Sequence, residues 1–168
     1  MNGRKVLISE EHGQSMVEFA VSAIVILLLL VAIADFGRAF FTYLSMRDAA
    51  QEGASFGSIC PRHYDQILNR VRKTGNQPVS LADPTQIRVE CEFRYDLDSS
   101  GMIDSDEIWA CNSGHLPKPG YGVLVRVLYD DFLITTPLLG SIIGQSISLQ
   151  AEVTDTVLQV VDPGLACP

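Results

Sequence analysis

The sequence GQSMVEF at residues 13–19 leads into the uncharged run AVSAIVILLLLVAIA at residues 20–34. Together with residues 14–17, this run approaches the roughly 20 predominantly apolar residues that a helix needs to cross a bilayer. Glu18 stands at the start of the run, where hydrocarbon disfavours a carboxylate, although less strongly than at the membrane centre. We therefore expect Glu18 to pair with a cation, and the best candidate is a newly formed α-amino group.

The helical pattern continues past the apolar run, because apolar residues recur at three- and four-residue spacing and no proline interrupts residues 14–60. We predict one helix from about Gln14 to Gly57. Residues 14–34 would cross the membrane, and residues 35–57 would carry a globular domain on an apolar stripe. The predicted stripe comprises Phe36, Ala39, Phe40, Tyr43, Leu44, Arg47, Ala50 and Ala54. Asp35 and Arg38 are expected on a solvated helix face, with contacts to neighbouring subunits or lipid headgroups as the alternative.

The junction at Gly13 resembles the processing site of type IV prepilins and pseudopilins. This resemblance implies that a prepilin peptidase cuts between Gly13 and Gln14, which makes residues 1–13 a leader peptide. Glu18 then becomes the fifth residue of the mature chain. The resemblance further implies that Glu18 neutralises the N-terminus of a neighbouring subunit during filament assembly.

The continuation, DFGRAFFTY at residues 35–43 and AAQEGA at residues 49–54, resembles the TadE-like minor pseudopilins of tight-adherence (Tad/Flp) type IV pili. That family usually has a basic residue after the double alanine, where this chain has Gln51. The resemblance also implies that the major pilins of this pilus system are much shorter than this chain of 168 residues. The resemblance implies a structural subunit that takes part in pilus assembly. Its partners would be other pilin or pseudopilin subunits and the pilus assembly platform.

Arg4 and Lys5 precede the apolar run, which places the N-terminus on the cytoplasmic side of the membrane. Residues 58–168 would then form an extracytoplasmic domain, at the cytoplasmic membrane or in an extracellular pilus. A secretory signal is the main alternative, because residues 32–34 form an A-x-A cleavage site that would release a soluble protein starting at Asp35. A plain single-pass anchor is a further alternative.

The composition and the absence of known motifs argue against two classes of function, nucleic-acid binding and catalysis. The net charge of −8 argues against nucleic acid as a partner, since phosphate binding needs an excess of basic residues. The sequence has no nucleophile elbow, zincin motif, P-loop or dinucleotide-binding glycine motif. We therefore predict that the chain is not an enzyme.

All four cysteines follow the apolar run, and none forms a C-x-x-C pair. A zinc site is therefore disfavoured, and disulfides in an oxidising compartment are expected. Four cysteines allow three connectivities. The favoured one pairs Cys91 with Cys111 and Cys60 with Cys167, and four buried free thiols are the alternative.

The rest of the chain predicts an α+β fold, in which the long N-terminal helix packs against a small antiparallel sheet. Residues 61–74 read as a short amphipathic helix. Residues 86–95 alternate strictly between apolar and charged side chains, as in a half-buried strand. Residues 121–129 and 146–160 supply a second and a third strand.

Residues 96–107, DLDSSGMIDSDE, match the twelve positions of an EF-hand calcium loop. Gly101 permits the sharp turn at position 6, and Ser100 stands where aspartate or asparagine is commoner. The residues before the loop read as strand, so we expect the loop on a β-framework without paired helices. The predicted calcium ligands are Asp96, Asp98, Ser100, the carbonyl of Met102, Asp104 (often through water) and bidentate Glu107.

We expect this calcium site to be structural, and a disulfide between Cys91 and Cys111 would hold its base together. Magnesium is the second candidate ion. The loop also supports an alternative function, a secreted or membrane-anchored calcium-binding interaction domain without a filament role.

Overall fold

One helix dominates the molecule. The computed structural model describes residues 11–74, 81, 83–136, 140–141, 144–158 and 167, with side chains from residue 13 onward. Helix α1 runs from Glu11 to Ile59, 49 residues without interruption, which corresponds to a length of about 72 Å. It ends at Ile59, two residues after the predicted end at Gly57, because Pro61 cannot continue a helix. Of the predicted leader, residues 1–13, the first ten residues lie outside the described part of the chain.

Helix α2 (Tyr64–Thr74) follows α1, and four strands form one antiparallel sheet. The strands are β1 (Ile87–Arg94), β2 (Ile108–Ala110), β3 (Gly122–Leu133) and β4 (Ser146–Thr156), in the order β2-β1-β3-β4. The predicted α+β arrangement is confirmed. Strand β2 was not predicted, β3 continues past its predicted end at residue 129, and β4 ends at Thr156, before its predicted end at residue 160.

The core lies between α1 and the inner face of the sheet. Small side chains carry the helix side, with Ala49, Ala50 and Ala54 fully buried. The sheet side supplies Phe93 and the buried valines of β3, also fully buried. The alanine side chain occupies little space between the two backbones. The double alanine of the sequence therefore marks the place where the helix lies close to the sheet.

The predicted apolar stripe is partly wrong. Phe36, Phe40 and Tyr43 are exposed, and the face of α1 that meets the domain lies to one side of them. The observed face comprises Asp35, Thr42, Met46, Ala49, Ala50, Gly53 and Ala54, all buried. Helical spacing identifies apolar residues on a face, but the pattern does not distinguish the face that packs on the sheet from one that remains uncovered.

Helix α2 packs against the side of α1 through Ile67 and Val71, both fully buried. Gly53 of α1 makes room for this contact, since a Cβ there would lie 2.4 Å from Cγ2 of Val71. The amphipathic pattern of α2 is therefore confirmed, with its apolar side on α1.

Strand β3 runs antiparallel to α1. At one end, Gly57 lies beside Val123, and the N–H of Leu158 donates to the carbonyl of Ser58 over 2.9 Å. At the other end, the segment after β3 reaches Asp35. The sheet thus extends along the helix from Ser58 back to Asp35, the first residue after the apolar run.

We call the end of the domain near Asp35, next to the apolar run, its lower end. Asp35 holds this lower end in place. Its Oδ2 accepts a hydrogen bond from the N–H of Thr136 over 2.8 Å and another from the hydroxyl of Thr136. Arg38 lies 3.5 Å from Asp35 Oδ1, donates to the hydroxyl of Thr135 and stacks over the ring of Phe132 at 5.6 Å. The expected solvated face is thus wrong for Asp35, which contacts the chain's own β3–β4 connection.

Candidate functional site

Nothing in the described part of the molecule covers the first half of α1. The domain begins at Asp35, and the side chains before it project outward. Helix α1 is long and apolar enough to cross a membrane. The exposed large apolar side chains of this half are Met16, Val17, Phe19, Val21, Ile24, Val25, Ile26, Leu27, Leu28, Leu29, Leu30, Val31 and Ile33.

Gly13, Gln14 and Glu18 are exposed and lie in the first turns of α1. Gln14 and Glu18 are four residues apart and therefore lie on the same helix face. Among the described residues, Glu18 forms no ion pair, and the space around Gly13 is open to 4 Å. The carboxylate predicted to bind an α-amino group is thus accessible to a second molecule.

The acidic loop closes a β-hairpin. Strands β1 and β2 pair antiparallel, with Arg94 opposite Ile108, and the N–H of Tyr95 donates to the carbonyl of Glu107 over 3.3 Å. The loop therefore starts and ends on adjacent strands, as a β-framework without paired helices requires. Hydrogen bonding to β1 holds the short strand β2 in its extended conformation.

Three carboxylates converge inside the loop. One oxygen each from Asp96, Asp98 and Glu107 lies within 4.8 Å of the others. These are positions 1, 3 and 12 of the predicted calcium loop, and hard cations prefer such oxygen clusters. The donor set therefore fits a calcium ion.

Backbone N–H groups hold two of these carboxylates in position. Asp96 accepts hydrogen bonds from the N–H groups of Ser100 and Gly101, over 3.0 and 2.8 Å. Asp98 accepts one from the N–H of Ser100 over 2.9 Å. This N–H, followed by the hydroxyl of Ser100, holds the pKa of Asp98 below its usual value. The Asp98 carboxyl group is therefore ionised at neutral pH.

Glu107, the last residue of the loop, is the only buried carboxylate among the three. Its Oε1 accepts from the N–H groups of Leu97 and Asp98, over 2.5 and 3.3 Å. Its Oε2 accepts from the N–H of Asp104 over 3.1 Å. Glu107 thus ties both halves of the loop together, a structural role that the EF-hand pattern did not reveal.

The remaining predicted ligands differ in position. The hydroxyl of Ser100 donates to the carbonyl of Met102 over 3.0 Å, so these two oxygens are neighbours. The side chain of Met102 is exposed, which agrees with a role for its carbonyl alone. The carboxylate of Asp104 does not join the group of three. This placement is compatible with contact through water, the usual arrangement at position 9.

A disulfide lies at the base of the hairpin. Cys91 and Cys111 are bonded, and the N–H of Cys111 donates to the carbonyl of Cys91 over 3.0 Å. The second disulfide joins Cys60, at the end of α1, to Cys167. These are the two pairs that the sequence favoured.

Four stacked aromatic rings, which the sequence did not predict, lie beside the loop. Tyr95 stacks on Tyr121 with ring centroids 4.6 Å apart, and Trp109 stacks on His115 at 4.1 Å. Tyr95 immediately precedes the loop and Trp109 follows it by two residues, so these rings pack where the hairpin closes. They come from three separate segments, which a local pattern in the sequence cannot show.

The comparisons with known proteins concern α1. A family model described as TadE-like protein matches residues 13–55. No curated protein and no solved structure matches the chain. The matched segment begins at Gly13 and ends in the part of α1 that packs on the sheet. The chain is therefore similar to TadE-like proteins of Tad pili over the uncovered helix and the double alanine, and the match does not extend to the acidic loop.

Proposed function

We propose that this protein is a pseudopilin-like structural subunit that takes part in the assembly of a Tad-type adhesion pilus. One observation carries the proposal. The segment similar to TadE-like proteins starts at Gly13 and contains an apolar helix half that no described part of the molecule covers. Such a surface needs a bilayer or the helices of other subunits around it.

In this proposal a prepilin peptidase removes residues 1–13, and residues 14–34 anchor the protein with its N-terminus in the cytoplasm. Glu18 then pairs with the N-terminal amino group of a neighbouring subunit. Its exposed side chain near the start of α1 supports this role. The pairing would offset the cost of holding a carboxylate near hydrocarbon.

Processing is tested by intact mass and N-terminal sequencing of the membrane-extracted protein. We expect a chain that begins at Gln14. A soluble chain that begins at Asp35 would instead support the secreted alternative. The docking of Asp35 against Thr136 favours the first outcome, because cleavage at Asp35 would remove the helical turn before a buried contact.

Assembly is tested by the variant Glu18→Ala. We expect normal membrane levels of the variant and loss of pilus production or co-assembly. Asp131→Ala is a matched control, since it removes an exposed carboxylate from the sheet instead of the helix. Piliation that survives Glu18→Ala would refute the proposed role of this residue.

We further propose that the acidic loop binds one structural calcium ion. Asp96, Asp98 and Glu107 would supply carboxylate oxygens, Ser100 its hydroxyl, Met102 its carbonyl and Asp104 an oxygen through water. Calcium would neutralise carboxylates that otherwise repel one another. A dissociation constant of about 10⁻⁴–10⁻³ M, as in extracellular modules, would suffice outside the cell.

Thermal unfolding with calcium and with a chelator tests this site. At ten times the dissociation constant, calcium should add about 1.4 kcal/mol to the free energy of unfolding. Asp98→Asn should abolish this gain. Asp106→Asn should retain it, because Asp106 is an exposed carboxylate of the same loop outside the group of three. An equal melting temperature with and without millimolar calcium would refute the site.

A further inference from the structure

A group of exposed apolar side chains lies at the lower end of the domain, next to the apolar run. It comprises Phe36, Phe40 and Phe41 of α1 and Leu133 at the end of β3, and we call it the apolar rim. Phe36 is 73% exposed and Leu133 is 65% exposed, and the rings of Phe36 and Phe40 stack at 6.3 Å. The domain itself therefore leaves a large apolar surface uncovered at this end.

The apolar rim continues the uncovered surface of the first half of α1. Phe36 follows Ala34 by two residues on the same uninterrupted helix. From Gln14 to Phe41 an α-helix rises about 40 Å. This length equals the thickness of a bilayer with its headgroup layers, about 40–45 Å. A helix that enters the bilayer at Gln14 thus carries the rim into the opposite headgroup layer.

The charges at this level have partners within the chain. Asp35 is buried and accepts hydrogen bonds from Thr136, and Arg38 contacts Asp35, Thr135 and the ring of Phe132. The sequence from Phe132 to Gln145 contains no charged residue. Moving residues 35–38 and 132–136 out of bulk water would therefore leave no unpaired charge among them, whereas Asp131, an exposed carboxylate two residues before Leu133, would have to stay in water.

A recess adds to the same surface. It has a volume of about 150 Å³, lies between α1 and the β3–β4 hairpin, and is lined by Ala32, Phe36, Ala39, Phe132, Ile134 and Ile147 beside Asp35. Its lining is almost entirely apolar, and Ala32 belongs to the predicted membrane span. The recess thus lies at the boundary between span and domain.

We propose that the apolar rim rests in the bilayer leaflet on the side of the domain, so that the β3–β4 hairpin is a second membrane contact beside α1. The occupant of this surface is lipid. Continuity with the membrane-spanning surface argues for lipid, because the rim starts where the span ends. The inference rests on the proposed anchoring of residues 14–34.

Quenching of tryptophan emission by brominated acyl chains tests the proposal in the full-length protein reconstituted in phosphatidylcholine vesicles. Trp109 is the only tryptophan, so Trp109→Phe provides a silent background. Leu133→Trp then reports on the rim. We expect its emission to fall by about half in brominated vesicles relative to unbrominated ones, as for a side chain 5–10 Å into the headgroup–acyl boundary.

Two matched variants separate the possible failures. Leu158→Trp replaces an equally exposed leucine, 69% exposed, at the opposite end of the sheet, and its emission should not change. Ile24→Trp lies midway along the predicted span and should be quenched strongly. Quenching of Ile24→Trp without quenching of Leu133→Trp would overturn the rim proposal alone. No quenching of Ile24→Trp would overturn the anchoring, and the rim proposal with it.

A second measurement keeps Trp109 in place, in case the phenylalanine variant fails to fold. The four native cysteines are all paired, so Leu133→Cys adds one free thiol for a nitroxide label. We expect this label to collide more with oxygen than with an aqueous nickel chelate, in contrast to a label at Leu158→Cys. A label at Leu133→Cys that neither collider reaches would point to a second protein copy on the rim and would overturn the assignment of lipid.

Discussion

Ser99 and Gly101 hold the left-handed backbone positions of the acidic loop. Their φ angles are 59° and 82°. A left-handed conformation costs an L-residue about 1–2 kcal/mol, whereas glycine adopts it freely. Gly101 thus suits the left-handed conformation, whereas Ser99, two residues earlier, is strained by it.

Substitutions at these positions should act in opposite directions. Ser99→Gly should raise the free energy of unfolding by up to about 1 kcal/mol, because relief of strain exceeds the added freedom of the unfolded chain. Gly101→Ala should lower it by about 1–2 kcal/mol, since the space around Gly101 is open and only the backbone conformation opposes a Cβ. Chemical unfolding in calcium-free buffer measures both. Shifts of the same sign would contradict this account.

Asp35 should make the attachment of the lower end of the domain dependent on pH. The hydroxyl of Thr136, followed by its N–H, holds the pKa of Asp35 below its usual value against the opposing effect of burial. A lowered folded-state pKa stabilises the protein above the unfolded value of about 3.9, and this contribution is lost as the pH falls through the folded pKa. Asp35→Asn should therefore be less stable than the natural chain at pH 7, and the difference should shrink below about pH 4.

Melting curves between pH 7 and pH 3 measure this effect. Thr136→Val should behave in the same way, because it removes the principal donor to Asp35. A difference in melting temperature that stays constant over this range would refute the contribution of the Asp35 charge.

The proposed calcium ligands and the contact of Asp35 differ in how far sequence could predict them. Asp96 and Glu107 lie in one loop whose spacing is a known pattern, so their convergence was predictable. Asp35 and Thr136 are 101 residues apart, and only the path of the whole chain brings them together. Both residues are polar, so no apolar periodicity marked the contact.

At the scale of elements, the glycines of α1 have different roles. A Cβ at Gly53 would clash with Val71 of α2, whereas one at Gly37 would meet no atom within 4 Å. Gly53 thus sets the distance between two helices, and Gly37 only lowers the helical propensity.

The same substitution should therefore have opposite effects at these two sites. Gly53→Ala should destabilise the protein by about 1–3 kcal/mol through overpacking against α2. Gly37→Ala should stabilise it by up to about 1 kcal/mol through helix propensity. Unfolding of the full-length chain by denaturant, in detergent, compares the two. A stabilising Gly53→Ala would show that α2 is free to move away from α1.

Sequence predicted the longer elements and missed those that depend on pairing. Helix α1 combines a continuous apolar run with apolar residues at three- and four-residue spacing after it, and strand β1 alternates along its length. Strand β2 has only three residues, and its pairing with β1 defines it. In β3, an irregularity in pairing between Tyr129 and Phe132 accommodates Asp130 and Asp131 and lets the strand continue to Leu133. The strand therefore continues beyond residue 129, where the sequence predicted its end.

At the scale of the whole molecule, the two disulfides enclose very different parts of the chain. The Cys60–Cys167 bond spans a sequence separation of 107 residues and closes nearly the whole domain. The Cys91–Cys111 bond spans 20 residues and encloses the acidic loop. One bond thus constrains the global fold, and the other constrains the hairpin that carries the proposed calcium site.

Removing each bond should separate global stability from calcium binding. Chain entropy predicts a loss of about 5 kcal/mol for the variant Cys60→Ser with Cys167→Ser, and about 3 kcal/mol for Cys91→Ser with Cys111→Ser. Only the second variant should also weaken calcium binding, because it loosens the strands from which Asp96 and Glu107 extend. Melting temperature and calcium titration of both variants measure these effects. Equal calcium affinity in the two would mean that the β1–β2 pairing and the N–H bonds to Glu107 hold the ligands without help from the disulfide.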